Sequence, residues 1–324
     1  MHTLRAVAVA AVMASIAGLA CSASSGASGS EVPAPVGSDG GEVADAGDLD
    51  AAEASAVSSL VTERPYLLAV PTGYDAAKPA PLLISLHGYG STAEEQESYV
   101  GFKSLAESKT FLYAYPQGTP GIQEANFWNA TDACCGFGSP VDDVAYIAAV
   151  IDDVSARYKV DASRIWVFGH SNGGFMAHRL ACDLSTRLAA IISLAGAVWK
   201  DETKCAPTSP VSVVQLHGDK DTTIRYEGGT ASDLGGPAHP SAAQTVATWA
   251  KKNGCAGAIG LKGRYDIERA LVGDETRVES YAGCPAGVDV ELWTIEGGSH
   301  VPRLGGGWLE RVHAFLAAHP KAAL

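Results

Sequence analysis

Two kinds of hydrophobic pattern alternate along most of the chain after residue 62. Short apolar runs predict buried strands, namely Arg64–Val70, Pro81–Leu86, Phe111–Tyr115, Arg164–Phe168, Ala189–Leu194, Val211–Leu216 and Val288–Ile295. Apolar residues at helical spacing predict the intervening helices, namely Thr92–Ser108, Val141–Tyr158, Gly174–Asp183, Pro240–Lys252 and Trp308–Ala318. Strands that alternate with helices predict an α/β protein with a mostly parallel central sheet and helices on both faces. Functional residues are then expected in loops at the carboxyl ends of the strands.

The first 21 residues have the pattern of an export signal. Arg5 precedes an apolar run, Ala6–Ala20, which is too short to span a bilayer but typical of a signal peptide. The run ends in Leu-Ala-Cys-Ser at 19–22, which resembles a bacterial lipoprotein processing site with Cys21 as the lipidated residue. Ordinary cleavage near Ala23 is the alternative. We expect an extracellular or cell-envelope protein. If Cys21 is lipidated, the lipid would anchor the protein to a membrane.

Residues 22–61 are rich in Ala, Gly, Ser and Asp, so they predict a disordered tether before a catalytic domain at 62–320. The chain is 47% hydrophobic and 18% charged, in the range of globular proteins. Its net charge of −13 argues against a nucleic-acid partner, because neutralising phosphates requires a basic face. A monomer is expected.

Six of the seven cysteines follow the signal, and an even number in an exported chain indicates disulfides. Their spacings do not suit zinc. Since six cysteines allow 15 pairings, the pairing is a preference: Cys182 with Cys205 and Cys255 with Cys284, each closing a local segment. The adjacent Cys134 and Cys135 form a vicinal bridge, or one of them stays free.

The segment Gly-His-Ser-Asn-Gly at 169–173 matches G-x-S-x-G between a predicted strand and a predicted helix. A serine on such a turn adopts a strained backbone that exposes its hydroxyl beside a helix N-terminus. This context predicts Ser171 as the nucleophile of an α/β-hydrolase. The alternative is a glycine-rich turn with an incidental serine.

A serine hydroxyl needs a base, and the base needs a carboxylate that orients it. In this fold they follow the nucleophile in the order acid, then histidine. His300 lies in a loop after the last predicted strand, so we predict it as the base. Asp221 has the usual spacing after the strand that ends near Leu216, and we predict it as the acid. Asp219 is the competing carboxylate, more suited to capping the turn.

An oxyanion hole needs two N–H donors fixed before the reaction. We predict the backbone N–H groups of Asn172, which follows the nucleophile, and of Tyr89, in the Leu-His-Gly-Tyr-Gly segment at 86–90. An ordinary glycine turn is the alternative for the second. No metal or cofactor motif is found, and Asp142 and Asp143 are interpreted as helix-start residues.

Several segments together resemble the secreted esterases that include polyhydroxybutyrate depolymerases, feruloyl esterases and acetylxylan esterases (carbohydrate esterase family 1 and relatives). They are Gly-His-Ser-Asn-Gly-Gly-Phe-Met-Ala at 169–177, Leu-His-Gly-Tyr-Gly at 86–90, Phe-Trp-Asn at 127–129, Cys-Cys-Gly at 134–136, Tyr-Ala-Gly-Cys at 281–284 and Gly-Gly-Ser-His-Val-Pro at 297–302. The resemblance covers the whole domain and implies the same Ser171, Asp221 and His300. It leaves open which ester is cleaved.

Trp128 lies in an insertion expected to reach the rim of the site, where an indole could stack on a ferulate ring or a polymer chain. A packing role is the alternative. Trp128 and His87 are our candidates for substrate binding. Because no binding module is visible in the sequence, cell-wall or soluble oligomeric esters are favoured over crystalline polymer.

We therefore expect a serine ester hydrolase that acts through an acyl-enzyme on a polymer- or oligomer-bound ester. A serine peptidase of the same fold would use the same triad, but often carries a cap domain for which this chain has no room. A non-catalytic surface lipoprotein would be marked by an incomplete triad, whereas all three members are present here.

Overall fold

A nine-stranded sheet forms the centre of the fold in the computed structural model, which describes residues 59–121, 124–135, 138–231 and 236–322. Its strands in chain order are β1 (Tyr66–Ala69), β2 (Ala80–Leu86), β3 (Leu112–Pro116), β6 (Val160–His170), β7 (Ala190–Leu194), β8 (Ser212–Gly218), β9 (Ile259–Tyr265), β10 (Thr276–Tyr281) and β11 (Val290–Ile295). A two-stranded ribbon, β4 (Thr119–Pro120) and β5 (Asn126–Phe127), belongs to the insertion after β3.

The spatial order across the sheet is β1-β3-β2-β6-β7-β8-β11-β10-β9. All neighbouring pairs from β3 to β11 are parallel. The first strand and the β10–β9 pair are antiparallel additions at the two edges. The carboxyl ends of β2, β6, β8 and β11 therefore meet along one edge of the sheet, and the site is built there.

Six helices cover the sheet: α1 (Ala93–Val100), α2 (Phe102–Lys109), α3 (Asp143–Arg157), α4 (Asn172–Asp183), α5 (Ala242–Asn253) and α6 (Trp308–Ala318). One apolar cluster joins one face of the sheet to α3, α4 and α5. A second cluster joins the opposite face to α1, α2 and α6. The predicted mostly parallel sheet with helices on both faces is confirmed.

The helix predicted over Thr92–Ser108 is two helices. Thr92 caps the first in a reciprocal capping box with Glu95, as predicted. Gly101 then takes a left-handed conformation (φ 72°), which ends α1 and begins α2 in a new direction. The pattern did not reveal this break because both helices place apolar residues on the same face of the sheet.

Three disulfides lie in the described residues: Cys134–Cys135, Cys182–Cys205 and Cys255–Cys284. The two preferred pairings are confirmed, and the adjacent cysteines form the vicinal bridge.

The predicted signal peptide, Cys21 and nearly all of the predicted tether lie outside the described residues. Val61, which the sequence places in the tether, is partly buried against the core cluster of the domain. Within the described part of the chain, no helix is long and apolar enough to cross a membrane.

Candidate active site

Ser171 lies on a tight turn between β6 and α4. Its backbone adopts φ 55° and ψ −119°, a conformation that a non-glycine residue adopts only under constraint. Its N–H donates to the carbonyl of Leu194 at 2.8 Å. A methyl group on Gly169 would lie 1.9 Å from the carbonyl oxygen of Gly173, and one on Gly173 would lie 2.2 Å from that of Leu86. Both glycines are therefore required by the close approach of backbone around the serine.

The structure brings Ser171, His300 and Asp221 together from the ends of three parallel strands. The distance from Ser171 Oγ to His300 Nε2 is 2.9 Å, and from His300 Nδ1 to Asp221 Oδ2 it is 2.7 Å. Both lie in the range of ordinary hydrogen bonds. The imidazole can therefore accept the serine proton on one nitrogen while the carboxylate holds the other.

The carboxylate of Asp221 accepts hydrogen bonds on both oxygens. Oδ1 accepts from the backbone N–H groups of Thr223 and Ile224 at 2.8 and 2.9 Å. Oδ2 lies 3.2 Å from His217 Nε2 as well as 2.7 Å from His300. Burial disfavours the ionised form, but the hydrogen bonds from His217 and His300 outweigh it and hold the pKa of Asp221 well below its usual range. The side chain is therefore ionised at neutral pH.

The loop that carries His300 is fastened by several elements. Asp219 accepts from the N–H of Gly297 at 2.7 Å, so the competing acid fixes this loop instead of contacting the base. The backbone carbonyl of His300 accepts a hydrogen bond from His170 Nε2 at 3.0 Å. The hydroxyl of Tyr99 donates to the carbonyl of Pro302 at 2.9 Å.

Both predicted oxyanion donors are on segments next to the nucleophile. Asn172 is the first residue of α4, and the first N–H groups of a helix have no acceptor within it. Gly88, which precedes Tyr89, packs so closely that a methyl group on it would lie 3.4 Å from Ser171 Cβ. The structure thus brings the two segments together beside the serine hydroxyl.

A cleft of about 380 Å³ opens at Ser171 and His300. Its other walls include Tyr89, Gln96, Tyr99 and Val301. Two phenol rings and an exposed valine give it an aromatic and apolar wall beside the reacting atoms. A larger cavity of about 510 Å³ lies beside the Cys134–Cys135 bridge and Trp199, and it contains none of the three triad residues.

Comparisons with known proteins find similarity to esterases. A family model described as phospholipase/carboxylesterase matches residues 142–233. Feruloyl esterase B of Piromyces equi is 29% identical over 242 residues, 73% of this chain and 42% of that protein. The putative esterase NocK of Nocardia uniformis subsp. tsuyamanensis is 29% identical over 231 residues, 68% of this chain and 64% of that protein. The acetyl xylan esterase from Aspergillus awamori superposes with a TM-score of 0.55 at 15% identity, covering 78% of this chain and 93% of that structure.

The chain is thus similar in sequence to esterases, and its fold is that of the acetyl xylan esterase structure. It spans less than two thirds of the length of the two curated relatives named above, 42% and 64%.

Trp128 and His87, the predicted substrate-binding residues, are both fully buried in this structure. The indole of Trp128 donates to the carbonyl of His87 at 3.0 Å, and its backbone N–H donates to Asn172 Oδ1 at 2.6 Å. The imidazole of His87 accepts from the N–H of Gly118 at 2.9 Å. Trp128 therefore supports both segments predicted to form the oxyanion hole.

Sequence reasoning missed His170 and Tyr99 as residues of this site. The His170 ring lies between Tyr99 and His300, with ring centroids 5.3 and 5.2 Å apart. Burial, with the proximity of His300, lowers the pKa of His170 to about 4, so this ring is neutral at pH 7. Its position directly before the nucleophile was the available signal, whereas no pattern in the sequence marked Tyr99.

Asp142 and Asp143 have structural contacts, as predicted from their position. Asp142 accepts from the N–H of Ala145 as the cap of α3. Asp143 pairs with Arg64 at 2.7 Å. Among the described residues, no group of three or more His, Cys, Asp or Glu side chains is arranged to hold a metal ion.

Proposed function

We propose that the protein is a serine carboxylic ester hydrolase, with Ser171 as nucleophile, His300 as general base and Asp221 as the residue that orients the base. The observation that carries this proposal is the continuous contact from Ser171 Oγ to His300 to Asp221, at 2.9 and 2.7 Å. The esterase names of the relatives support the same reaction class.

In the first half of the reaction, Ser171 Oγ attacks the ester carbonyl as its proton passes to His300 Nε2. The imidazolium then gives this proton to the departing alkoxide, which leaves an acyl group on the serine. In the second half, a water molecule gives a proton to His300 and attacks the acyl-enzyme. Collapse of that intermediate releases the acid and returns the proton to Ser171. Asp221 stays ionised throughout and stabilises the imidazolium.

The negative charge on the carbonyl oxygen would be held by the backbone N–H groups of Asn172 and Tyr89. The place of Asn172 at the start of α4 supports this assignment, because the helix dipole adds to its donor. The packing of Gly88 against Ser171 supports it for Tyr89. Each such donor contributes about 10²- to 10³-fold in rate in enzymes of this kind.

We further propose that the substrates are acetyl or hydroxycinnamoyl esters on plant cell-wall polysaccharides. Tyr89 and Tyr99 in the cleft support an aromatic or small acyl group. The feruloyl and acetylxylan esterase relatives support the same classes. The three disulfides support an extracellular location. Lipidation at Cys21 is tested by mass spectrometry of the mature N-terminus.

The decisive experiment compares the release of ferulate, acetate and 3-hydroxybutyrate from matched substrates by the wild type and by Ser171→Ala. A peptide anilide is added as a fourth substrate. We expect ferulate or acetate release that Ser171→Ala abolishes, together with covalent labelling of Ser171 by a fluorophosphonate. Release of 3-hydroxybutyrate alone would reject the cell-wall substrates, and cleavage of the anilide alone would favour a peptidase. Wild-type turnover by Ser171→Ala would reject the mechanism.

A further inference from the structure

Two polar side chains interrupt an otherwise apolar face of β8. Gln215 and His217 follow Val213 on the same face of the strand, and neither side chain is more than 1% exposed. They pack beneath α4 and α5. A buried amide or imidazole costs free energy unless it is hydrogen-bonded, whereas an apolar side chain would cover this face without that cost. Their presence next to the triad therefore needs an explanation.

A continuous chain of hydrogen bonds leads from α5 through these two residues to the triad. The Trp249 Nε1 to His178 Nδ1 distance is 2.9 Å, and His178 Nε2 lies 2.9 Å from Gln215 Oε1. Gln215 Nε2 lies 3.1 Å from His217 Nδ1. His217 Nε2 then lies 3.2 Å from Asp221 Oδ2 and 2.7 Å from the carbonyl of Ile224.

The direction of every hydrogen bond in this network is fixed by groups that can only donate or can only accept. An indole nitrogen can only donate, so Nδ1 of His178 accepts and its Nε2 carries the hydrogen that Gln215 Oε1 accepts. The other end of the Gln215 amide lies 2.9 Å from the carbonyl of Gly196, which can only accept, so that end is the NH₂ group. This NH₂ group also donates to Nδ1 of His217. The hydrogen of neutral His217 must therefore be on Nε2, which faces Asp221.

We propose that His217 is a positioning residue for the triad, and that Gln215, held by His178 and Trp249, fixes the tautomer in which His217 donates to Asp221. The inference rests on the proposed function, because the purpose assigned to His217 is to hold the acid of that reaction. With this donor, Asp221 Oδ2 accepts from two imidazoles while Oδ1 accepts from two backbone N–H groups. The carboxylate is thus held from both sides, and its plane is set for His300.

Several other titratable groups surround this pair. His239 and His170 act on His217 and Asp221 through space, and the ring of Tyr226 lies 5.6 Å from that of His217. Burial lowers the pKa of His170, His178 and His239, so these rings are neutral at pH 7. Among the described residues, the side chains that hydrogen-bond to Asp221 are those of His217 and His300.

The test compares three variants of the full-length protein. His217→Met removes the donor but keeps the volume, whereas His217→Gln can return an N–H group close to the position of Nε2. Trp308→Phe is the matched control, because it deletes a buried indole hydrogen bond to Val100 (3.1 Å) within the cluster on the opposite face of the sheet. For each we measure kcat and KM on a soluble ester, the pH profile of kcat/KM and the thermal unfolding midpoint.

For His217→Met we expect kcat to fall about ten- to a hundredfold with KM nearly unchanged, since the acid loses its fixed orientation. The acidic limb of the kcat/KM profile should move to higher pH. This limb reports proton uptake by the coupled His300–Asp221 pair. Without the His217 donor the carboxylate charge is less neutralised, so the pair binds a proton at higher pH. His217→Gln should recover activity to within about fivefold of wild type. Trp308→Phe should lower the midpoint without moving kcat or the pH profile.

The proposal is overturned if His217→Met keeps the wild-type kcat and pH profile. It is equally overturned if all three variants lose activity only in proportion to the unfolded fraction. Nitrogen NMR of histidine-labelled wild type gives a readout that needs no turnover. We expect His217 to show an unprotonated Nδ1, and a protonated Nδ1 would overturn the proposal. Lack of fluorophosphonate labelling at Ser171 would overturn the proposed function instead, so the two failures are distinguishable.

Discussion

Asp221→Asn changes one oxygen of the carboxylate into an NH₂ group, and the structure leaves no acceptable place for it. At the Oδ2 position this group would face His300 Nδ1–H and His217 Nε2–H. At the Oδ1 position it would face the backbone N–H groups of Thr223 and Ile224. Each orientation sets a donor against donors, so the substitution disturbs more than the charge.

The base can relieve the conflict only by moving its hydrogen to Nε2, where it points at Ser171 Oγ. In that tautomer His300 cannot accept the serine proton, and a loss of about 10³- to 10⁴-fold in kcat follows, equivalent to about 4–5.5 kcal/mol of transition-state stabilisation. His217 has no comparable escape, because Gln215 holds its Nδ1 as an acceptor. One unpaired buried donor costs about 1–3 kcal/mol, so the unfolding free energy should fall by a similar amount.

The assay is steady-state hydrolysis of a soluble ester, with the rate of fluorophosphonate labelling at Ser171 as a second readout and urea unfolding for stability. Asp219→Asn is the matched control. Asp219 Oδ1 accepts from the backbone N–H of Gly297, and its Oδ2 pairs with the exposed Lys220 at 3.5 Å. Asparagine retains the first acceptor and an exposed ion pair contributes little, so the activity of Asp219→Asn should stay within about threefold of wild type. Activity of Asp221→Asn within tenfold of wild type, or an equal loss in Asp219→Asn, would refute the assignment of the acid.

Three further perturbations follow from buried contacts. Burial raises the pKa of Glu291 from 4.5 to about 7, because it disfavours the ionised carboxylate in the folded state. The free energy of unfolding should therefore fall as the pH rises from 4.5 to about 7, by up to about 2–3 kcal/mol. Glu291→Gln should flatten this dependence in urea unfolding at pH 5 and pH 8, and an unchanged slope contradicts it. Trp128→Phe leaves the carbonyl of His87 without the indole donor and should cost about 1–2 kcal/mol in the same assay, whereas wild-type stability would show that the hydrogen bond contributes nothing. Replacing Cys182 and Cys205 by serine opens a loop whose ends are 23 positions apart in sequence. Calorimetry should show a loss of about 3 kcal/mol in the free energy of unfolding, whereas an unchanged value would show that the bridge is dispensable.

The parallel centre of the fold was predictable because its strands are buried on both faces and appear as uninterrupted apolar runs. β9 was missed because all seven of its residues are at least partly exposed, so neither an apolar run nor a clean alternation marks it. β10 has buried residues only at its beginning and its third position. Edge strands of this kind are defined by their partners, which a local pattern does not contain.

The same limit applies to the site. The meeting of Ser171, Asp221 and His300 was predictable because each follows a strand in a fixed chain order, which is a local feature. Trp128 was placed on the rim because an exposed and a buried tryptophan have the same sequence signal. Its burial depends on contacts with His87 and Asn172, 41 and 44 positions away in sequence.

The loop of the base is fastened to the rest of the domain by Asp219, His170 and Tyr99, which belong to three separate segments. The base is therefore positioned by the folded domain as a whole and not by its own loop, so the loss of one anchor should loosen the 2.9 Å contact between His300 and Ser171 without removing it.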